Sequence, residues 1–371
     1  MDLLNVIYAA TIVFILFNVY KIPMSNYIFV ISHLILIFFL NGVLFSPDYM
    51  YDQIRYIRSA AAIRETLDFM HYYRFDRSGV GDLSNASLIF AIFPIPFLNS
   101  IYSIAIINFM IYAFLFIFLY IKKILVGNAL WFYLFFPSFA LYAGVALRDM
   151  LILFFMTLSV YLLYKHRLIW SIIVSVPLLF IKFQNFLIFV LAIIVYNTII
   201  KGSFFSIQLI IKLLFSIVLF YVFINFIGVS EIDKIRYSMY LEDGGIREMY
   251  IPLHTYLDLL FQGIIGAFYI ILKPLPWESS NIMQLFQSFE NLFIFYIIYK
   301  IIKKQLIIKN DFINFLLVYL FIAMMIYGLI VSNYGAAARY RFTFELIFII
   351  FSMSILYKNK IKSDKPYKNI R

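Results

Sequence analysis

The sequence predicts an all-α fold, that of a polytopic integral membrane protein with about eleven transmembrane helices. Hydrophobic residues make up 64% of the 371 residues and charged residues 13%, and the mean hydropathy is +0.94. A water-soluble domain with so few polar residues has too little polar surface to cover its apolar side chains. The apolar residues also fall into runs bounded by charges, as in helices that cross ~30 Å of hydrocarbon.

Taken in chain order, these runs predict helices at residues 3–20, 27–45, 101–121, 129–147, 150–164, 168–181, 183–200, 207–229, 284–302, 312–331 and 342–357. Two further apolar runs, 86–98 and 257–272, contain or adjoin a Pro-x-Pro sequence, which interrupts a helix because proline lacks an N–H donor. We expect re-entrant or interfacial segments there. They lie in two long loops, 46–100 and 230–283, of a single membrane domain that covers 1–371.

The lysines indicate which side of the membrane each loop faces. With the helices above, the lysine-rich turns and the basic tail at 358–371 share one side, which the positive-inside rule assigns to the cytoplasm. The N-terminus and the loops 46–100 and 230–283 then face outwards, where arginine replaces lysine as the main basic residue. The outward arginines are Arg55, Arg58, Arg64, Arg74, Arg77, Arg148, Arg236, Arg247, Arg339 and Arg341.

Arginine binds phosphate or carboxylate with a planar, bidentate fork, so this set predicts an anionic ligand at the outer surface. Arg148 and Asp149 interrupt a long apolar stretch, where a charge usually faces a cavity or a partner. Arg339 and Arg341 follow small residues, which leave room for a ligand headgroup at the backbone. The alternatives are ion pairs with acidic residues of the same loops and, at Arg148, a plain turn between two helices.

Loop 230–283 also holds residues that can accept a proton. His254 and Glu248 lie close together in sequence. Transfer to a sugar hydroxyl needs a base, and imidazole or carboxylate serves as one near neutral pH. The alternative is that His254 is an ordinary polar loop residue.

Several classes of site are excluded by what the sequence lacks. There is no cysteine, and the four histidines are scattered, so a thiolate or histidine-rich metal site is not expected. The motifs GxGxxG, GxxxxGK[ST] and HExxH are absent. We expect no metal, no nucleotide cofactor and no nucleic-acid partner, so the energy for any reaction must arrive with the substrate.

Five segments in this order resemble a known family. They are Ser46-Pro47-Asp48 to Arg58, Phe93-Pro94-Ile95-Pro96-Phe97, Phe136-Pro137-Ser138 to Arg148-Asp149, Lys273-Pro274-Leu275-Pro276-Trp277-Glu278 with Phe289-Glu290-Asn291-Leu292, and Asn333-Tyr334-Gly335 to Arg339-Tyr340-Arg341. The chain resembles, over most of its length, the Wzy-type O-antigen and capsular polysaccharide repeat-unit polymerases of Gram-negative bacteria.

The resemblance implies a multi-pass enzyme of the bacterial inner membrane that polymerises undecaprenyl-diphosphate-linked oligosaccharides on the periplasmic face. It implies that Arg148, Arg339 and Arg341, with Arg247 beside them, hold the diphosphate leaving group. The acceptor hydroxyl would lose its proton to His254, Glu248 or Asp243. A chain-length regulator protein is the expected partner, beside the lipid-linked glycans and the bilayer.

Two other functions fit parts of the sequence. A GT-C-class glycosyltransferase that uses a lipid-phosphate sugar would place an acidic pair in its first long outer loop, and Asp48 with Asp52 imitates that pair. A repeat-unit flippase would place charges within its helices around a central cavity. The long outer loops and the nearly charge-free helices favour the polymerase.

Overall fold

The computed structural model describes residues 1–46, 50, 52–66, 81–197, 228–242 and 247–363. Within these ranges the chain is helical and forms no β-strand, apart from an isolated bridge between Asn41 and Phe45. The all-α prediction is therefore confirmed. The helices are α1 (Asp2–Val19), α2 (Met24–Leu40), α3 (Asp52–Thr66), α4 (Gly81–Ile92), α5 (Ile101–Ile121), α6 (Asn128–Phe135), α7 (Pro137–Gly144), α8 (Asp149–Tyr164), α9 (Leu168–Ser175), α10 (Pro177–Ile181), α11 (Phe183–Val195), α12 (Val229–Glu242), α13 (Tyr256–Leu272), α14 (Ile282–Ile308), α15 (Asp311–Ile330) and α16 (Tyr334–Ser363).

Five helices in the described part of the chain are long and apolar enough to cross a membrane: α1, α5, α14, α15 and the segment Tyr334–Ile361 of α16. Shorter apolar helices are α2, α8, α9 with α10, α11, and α13. By length and composition, these helices are consistent with a membrane protein. The predicted helix 207–229 falls almost wholly outside the described residues, as does most of the basic tail.

The helices form two compact units. The first comprises Met1–Phe186 and the segment that begins at Met353, and the second comprises Leu187–Ser352. In the first unit, α1, α2, α7 and α8 pack against α5, whose side chains are buried along most of its length. Aromatic rings fill this core, and Tyr112 stacks on Tyr133 with ring centroids 5.2 Å apart. The predicted helix 101–121 has the bounds of α5.

Proline explains two differences from the predicted helices. The predicted helix 129–147 is wrong as one element, because Pro137 separates α6 from α7 and the helix ends at Gly144. The predicted helix 168–181 is likewise two helices, α9 and α10, and Pro177 begins the second. In both cases proline takes the first helical position, where its missing N–H would have had no helical partner.

The expected loop 46–100 contains two helices, α3 and α4, which pack against each other. Tyr56, Ile57 and Ile63 form a buried face of α3, while Arg58 is exposed on the other side. A helix with one charged face has a low mean hydropathy, so a search for apolar runs does not find it. The same reason explains why α12 was missed in the loop 230–283.

Arg64 of α3 closes the C-terminal end of α4. Its Nε donates to the Ala91 carbonyl oxygen at 2.9 Å, its Nη1 to that of Ile95 at 2.9 Å, and its Nη2 to that of Phe93 at 2.5 Å. The Pro-x-Pro sequence ends α4 here, so the Ala91 carbonyl oxygen has no helical donor, and Phe93 and Ile95 lie in the turn that follows. One of the outward arginines therefore caps a helix of its own unit.

We predict that Arg64→Lys lowers the free energy of unfolding by about 2 kcal/mol. An ammonium cannot reach three carbonyl oxygens at once, and each buried acceptor that loses its donor costs ~1–3 kcal/mol. Thermal unfolding of the purified protein in detergent, followed by circular dichroism, measures the change. Arg58→Lys, exposed on the same helix, is the control, and equal midpoints for the two variants would disprove the capping role.

In the second unit, α13 and α15 approach so closely that their backbones touch. A Cβ atom added at Gly266 would lie 2.3 Å from the carbonyl oxygen of Gly328. The segment 257–272, expected to be re-entrant or interfacial, forms all but the first residue of the continuous helix α13. A capping box begins α13: the Thr255 hydroxyl accepts from the Asp258 N–H at 3.1 Å, and the Asp258 carboxylate accepts from the Thr255 N–H at 2.8 Å.

We predict that Gly266→Ala destabilises the protein by about 1–3 kcal/mol, because the added methyl group forces two packed backbones apart. Gly263→Ala on the same helix is the matched control. A Cβ there would lie 3.4 Å from the Met325 methyl group, which a flexible side chain accommodates. The two thermal midpoints in detergent should differ clearly, and a Gly266→Ala variant as stable as Gly263→Ala would contradict the close contact.

Candidate functional site

The predicted site residues fall in both units. Arg148 belongs to the first unit, while Arg247, Glu248, His254, Arg339 and Arg341 belong to the second. Asp243 lies outside the described residues. The predicted convergence of Arg148 with the other arginines stays a prediction.

Arg148 follows a short non-helical stretch between α7 and α8. Buried amide side chains hold the backbone of this stretch. Asn108 donates to two of its carbonyl oxygens, both at 2.7 Å, and Gln53 accepts one of its N–H groups at 2.7 Å. Asn41 donates to the carbonyl oxygen that ends α7 at 2.8 Å. The unwound backbone is thus satisfied from three sides, as an irregular segment in an apolar interior must be.

The Arg148 side chain is half-buried, and its Nη1 donates to the Ile181 carbonyl oxygen at 2.8 Å. Ile181 is the last residue of α10, where the final carbonyl oxygens have no helical donor. Arg148 thus links the start of α8 to the end of α10. The predicted interruption of the apolar stretch is present, and the hydrogen bond from Arg148 to Ile181 connects two helices of the first unit.

Arg339 and Arg341 lie within a helix. The predicted helices leave residues 333–341 as a connection between 312–331 and 342–357, but residues 334–341 form the first part of α16, which begins at Tyr334 because the Asn333 carboxamide oxygen accepts the Ala336 N–H at 2.6 Å. Residues two apart in a helix face different sides. Arg339 is accordingly half-buried, whereas Arg341 is fully buried.

Arg341 is 2% exposed and joins three helices of the second unit. Its Nη1 donates to the Ile270 carbonyl oxygen at 2.6 Å, near the end of α13, and its Nη2 donates to the Asn291 carboxamide oxygen of α14. Its Nε lies 3.8 Å from the carboxylate of Glu345, which is equally buried. Asn291 in turn donates to the Lys273 carbonyl oxygen at 2.9 Å. A diphosphate would have to displace these partners to bind Arg341.

An ion pair between two of its own residues stabilises the Pro-x-Pro turn after α13. Lys273 and Glu278 form an ion pair across it, and the Leu275 N–H donates to the Glu278 carboxylate at 2.9 Å. The Leu275 N–H and the Lys273 ammonium together hold the pKa of the Glu278 carboxyl below its usual value. This turn holds the Lys273 carbonyl oxygen that Asn291 binds.

A cavity of about 330 Å³ lies in the second unit, between α12, α13, the segment 249–251 and the end of α15. This volume is at the small end of the range for ligand sites. Its wall combines aromatic, polar and aliphatic groups. The polar and aromatic members are Arg236, Tyr240, Tyr250, Gln262, Tyr269 and Ser332.

Arg236 and Tyr250 are held in place on one side of this cavity. The Arg236 Nη1 donates to the Ile251 carbonyl oxygen at 2.6 Å, and its guanidinium carbon lies 5.1 Å from the centroid of the Tyr250 ring. The Tyr250 hydroxyl donates to the Asp233 carboxylate at 2.7 Å, which also accepts the Leu253 N–H at 2.7 Å. Burial, and then the hydrogen bond to Asp233, raise the pKa of Tyr250 to about 12, so Tyr250 stays neutral.

The predicted residues of the loop 230–283 flank the cavity in sequence without lining it. Arg247 and Glu248 form an exposed 3₁₀ turn immediately before the wall residues 249–251. His254 is exposed beyond them, and its backbone N–H donates to Asp258 at 3.1 Å. The sequence prediction missed the wall itself. Arg236 was among the outward arginines but was assigned no role, and only the tyrosines near it offered a further signal.

Comparisons with protein-family models, with curated proteins and with solved structures find no match for this chain. Among the described residues, no three His, Asp or Glu side chains are grouped closely enough to hold a metal ion.

We predict that Arg341→Gln lowers the stability of the folded protein by about 3–5 kcal/mol, because it leaves Glu345 as a buried carboxylate without its ion-pair partner. Thermal unfolding in detergent and the amount of protein in the membrane should both fall. Arg247→Gln, at an exposed position, should leave both unchanged. Equal stability of the two variants would contradict the internal role of Arg341 and leave it available as a diphosphate ligand.

Proposed function

We propose that this protein is a metal- and nucleotide-independent glycosyltransferase that polymerises undecaprenyl-diphosphate-linked oligosaccharide repeat units into O-antigen or capsule-like polysaccharide. The reaction takes place on the periplasmic face of the inner membrane, which the chain crosses with about eleven helices. The observation that carries the proposal is the cavity of the second unit. Its wall combines tyrosine rings, a guanidinium, an amide and a hydroxyl, and it borders the segment that holds Arg247, Glu248 and His254.

This wall suits a sugar. Tyrosine has a flat apolar face for the C–H face of a pyranose ring and a hydroxyl for hydrogen bonds at its edge. Gln262 both donates and accepts hydrogen bonds, and Ser332 does the same. The aliphatic members of the wall exclude water from the remainder of the ring.

In the reaction, the acceptor hydroxyl attacks the anomeric carbon of the donor glycan. The bond to the diphosphate breaks, its electron pair stays on the departing diphosphate oxygen, and the hydroxyl proton passes to His254, Glu248 or Asp243. Cationic groups that stabilise the leaving oxygens lower the barrier. Of the predicted diphosphate ligands in the second unit, Arg247 is exposed, so it is better placed than the internally bonded Arg341. The role of Arg148 rests on the resemblance alone.

We expect deletion of the gene to leave surface lipid that carries a single repeat unit instead of a ladder of long chains. Gel electrophoresis of surface polysaccharide measures this. A glycosyltransferase that builds the repeat unit, or a flippase that delivers it, would leave a bare acceptor instead. A gel of that kind would contradict the polymerase proposal.

Complementation of the deletion strain then tests the base. General-base assistance is worth ~10²–10⁴-fold in rate, so His254→Ala should yield severely shortened chains at normal protein level. Lys234→Gln is the matched control, because Lys234 is exposed and pairs with Glu231 of its own helix at 2.5 Å. It should restore the full ladder. A full ladder from His254→Ala would reject His254 and direct attention to Glu248 and Asp243.

A further inference from the structure

We infer that the cavity of the second unit is a subsite for an acidic sugar, whose carboxylate pairs with Arg236 while its ring packs against the tyrosines of the wall. The inference rests on the proposed function and adds to it the class of sugar that the repeat unit contains. Its evidence is the charge of the wall, the fixed position of Arg236 and the size of the space.

The described wall carries one positive charge. Of the residues that line the cavity in the described part of the chain, Arg236 alone is charged. Asp233, one helical turn away, directs its carboxylate at the Tyr250 hydroxyl and the Leu253 N–H, and no described carboxylate lies within ion-pair distance of Arg236. A guanidinium at the edge of a cavity attracts an anion and gives it charge-assisted hydrogen bonds, so the ligand of this cavity should carry a negative charge.

Arg236 is also oriented before a ligand binds. A guanidinium has five N–H donors in one plane, and the Ile251 carbonyl oxygen accepts one of them at 2.6 Å. Contact with the Tyr250 ring fixes the position of the guanidinium. The position of Tyr250 is fixed in turn by the hydrogen bond between its hydroxyl and Asp233. Binding a carboxylate therefore requires little ordering of the side chain, and less ordering means higher affinity.

Carboxylate fits this site better than phosphate or a neutral hydroxyl. A phosphate monoester carries up to two negative charges and is usually met by several cations or backbone N–H groups, whereas the described wall offers one guanidinium. A neutral hydroxyl would gain an ordinary hydrogen bond, which is about half as strong as a charge-assisted one. The planar, singly charged carboxylate of a sugar ring matches the planar guanidinium of Arg236 beside the tyrosine rings.

The test measures binding of monosaccharides to the purified full-length protein in detergent by saturation-transfer difference NMR. The ligands are glucuronate, the uncharged methyl ester of glucuronic acid, glucose, and inorganic phosphate as a competitor, all at one ionic strength. We expect glucuronate to bind roughly tenfold more tightly than the ester or glucose, since a charge-assisted hydrogen bond replaces a neutral one. Phosphate should displace glucuronate poorly.

Variants of Arg236 test whether its guanidinium causes the preference for glucuronate. Arg236→Gln should abolish the preference for glucuronate and leave binding of the ester unchanged, and Arg236→Lys should retain part of it. Lys234→Gln, which removes a cation two residues away on the same helix, should behave as the unaltered protein. Thermal midpoints establish that each variant is folded, and Arg236→Lys decides the matter if Arg236→Gln does not fold.

Four outcomes would overturn the inference: equal affinity for glucuronate and its ester, no binding of glucuronate, displacement of glucuronate by phosphate at equal concentration, or an unchanged preference in the folded Arg236 variants. None of these outcomes depends on polymerisation. A preference for acidic sugars in a protein whose deletion leaves the polysaccharide ladder intact would refute the proposed function alone. Loss of the ladder without such a preference would refute only this inference.

Discussion

The structure depends on satisfying backbone N–H and carbonyl groups wherever a helix breaks in an apolar environment. Where such a break is buried, each unpaired group costs free energy comparable to a lost hydrogen bond. The chain meets this constraint with long polar side chains from other helices. Arg64 binds three carbonyl oxygens at the end of α4, Asn108 binds two beside Arg148, and Arg341 binds those at the end of α13. Two of these three breaks, at the ends of α4 and α13, precede a Pro-x-Pro sequence.

This constraint changes what the outward arginines mean. Their fork geometry suits phosphate, as the sequence indicates, but it suits a group of orphaned carbonyl oxygens equally well. The presence of an arginine in the sequence does not distinguish phosphate binding from binding of backbone carbonyl oxygens. The burial of its side chain and its hydrogen-bond partners do. Arg64 and Arg341 use their donors within their own units. Arg247 is exposed, and Arg236 stands at a cavity with one described carbonyl partner.

The sequence predicts those parts of the fold that depend on apolar runs alone. The bounds of α5 follow from such a run, and α15 differs from its predicted range by one residue at each end. Helices α3 and α12 were missed because their charged faces lower the mean hydropathy. Helix α16 begins at Tyr334 instead of residue 342, because the Asn333 side chain caps it there. The sequence prediction assigned the alanines before residue 342 to a connection between helices. The site depends on contacts between distant residues, and Arg341 binds a carbonyl oxygen 71 positions away, which periodicity within a single sequence does not reveal.

The cavity follows from the same constraint. Gly266 and Gly328 bring α13 and α15 into backbone contact. Helix α15 ends two residues after Gly328, so its last residues line the cavity beside α13. Polar groups are needed at such an end, and Tyr269 and Ser332 are there. The guanidinium of Arg236, at this cavity, is used differently from those at the ends of α4 and α13. Arg64 and Arg341 each hold several internal acceptors, whereas Arg236 holds one and remains beside an open volume. When the internal contacts of the fold do not use all the donors of a cation, that cation can select a ligand by its charge.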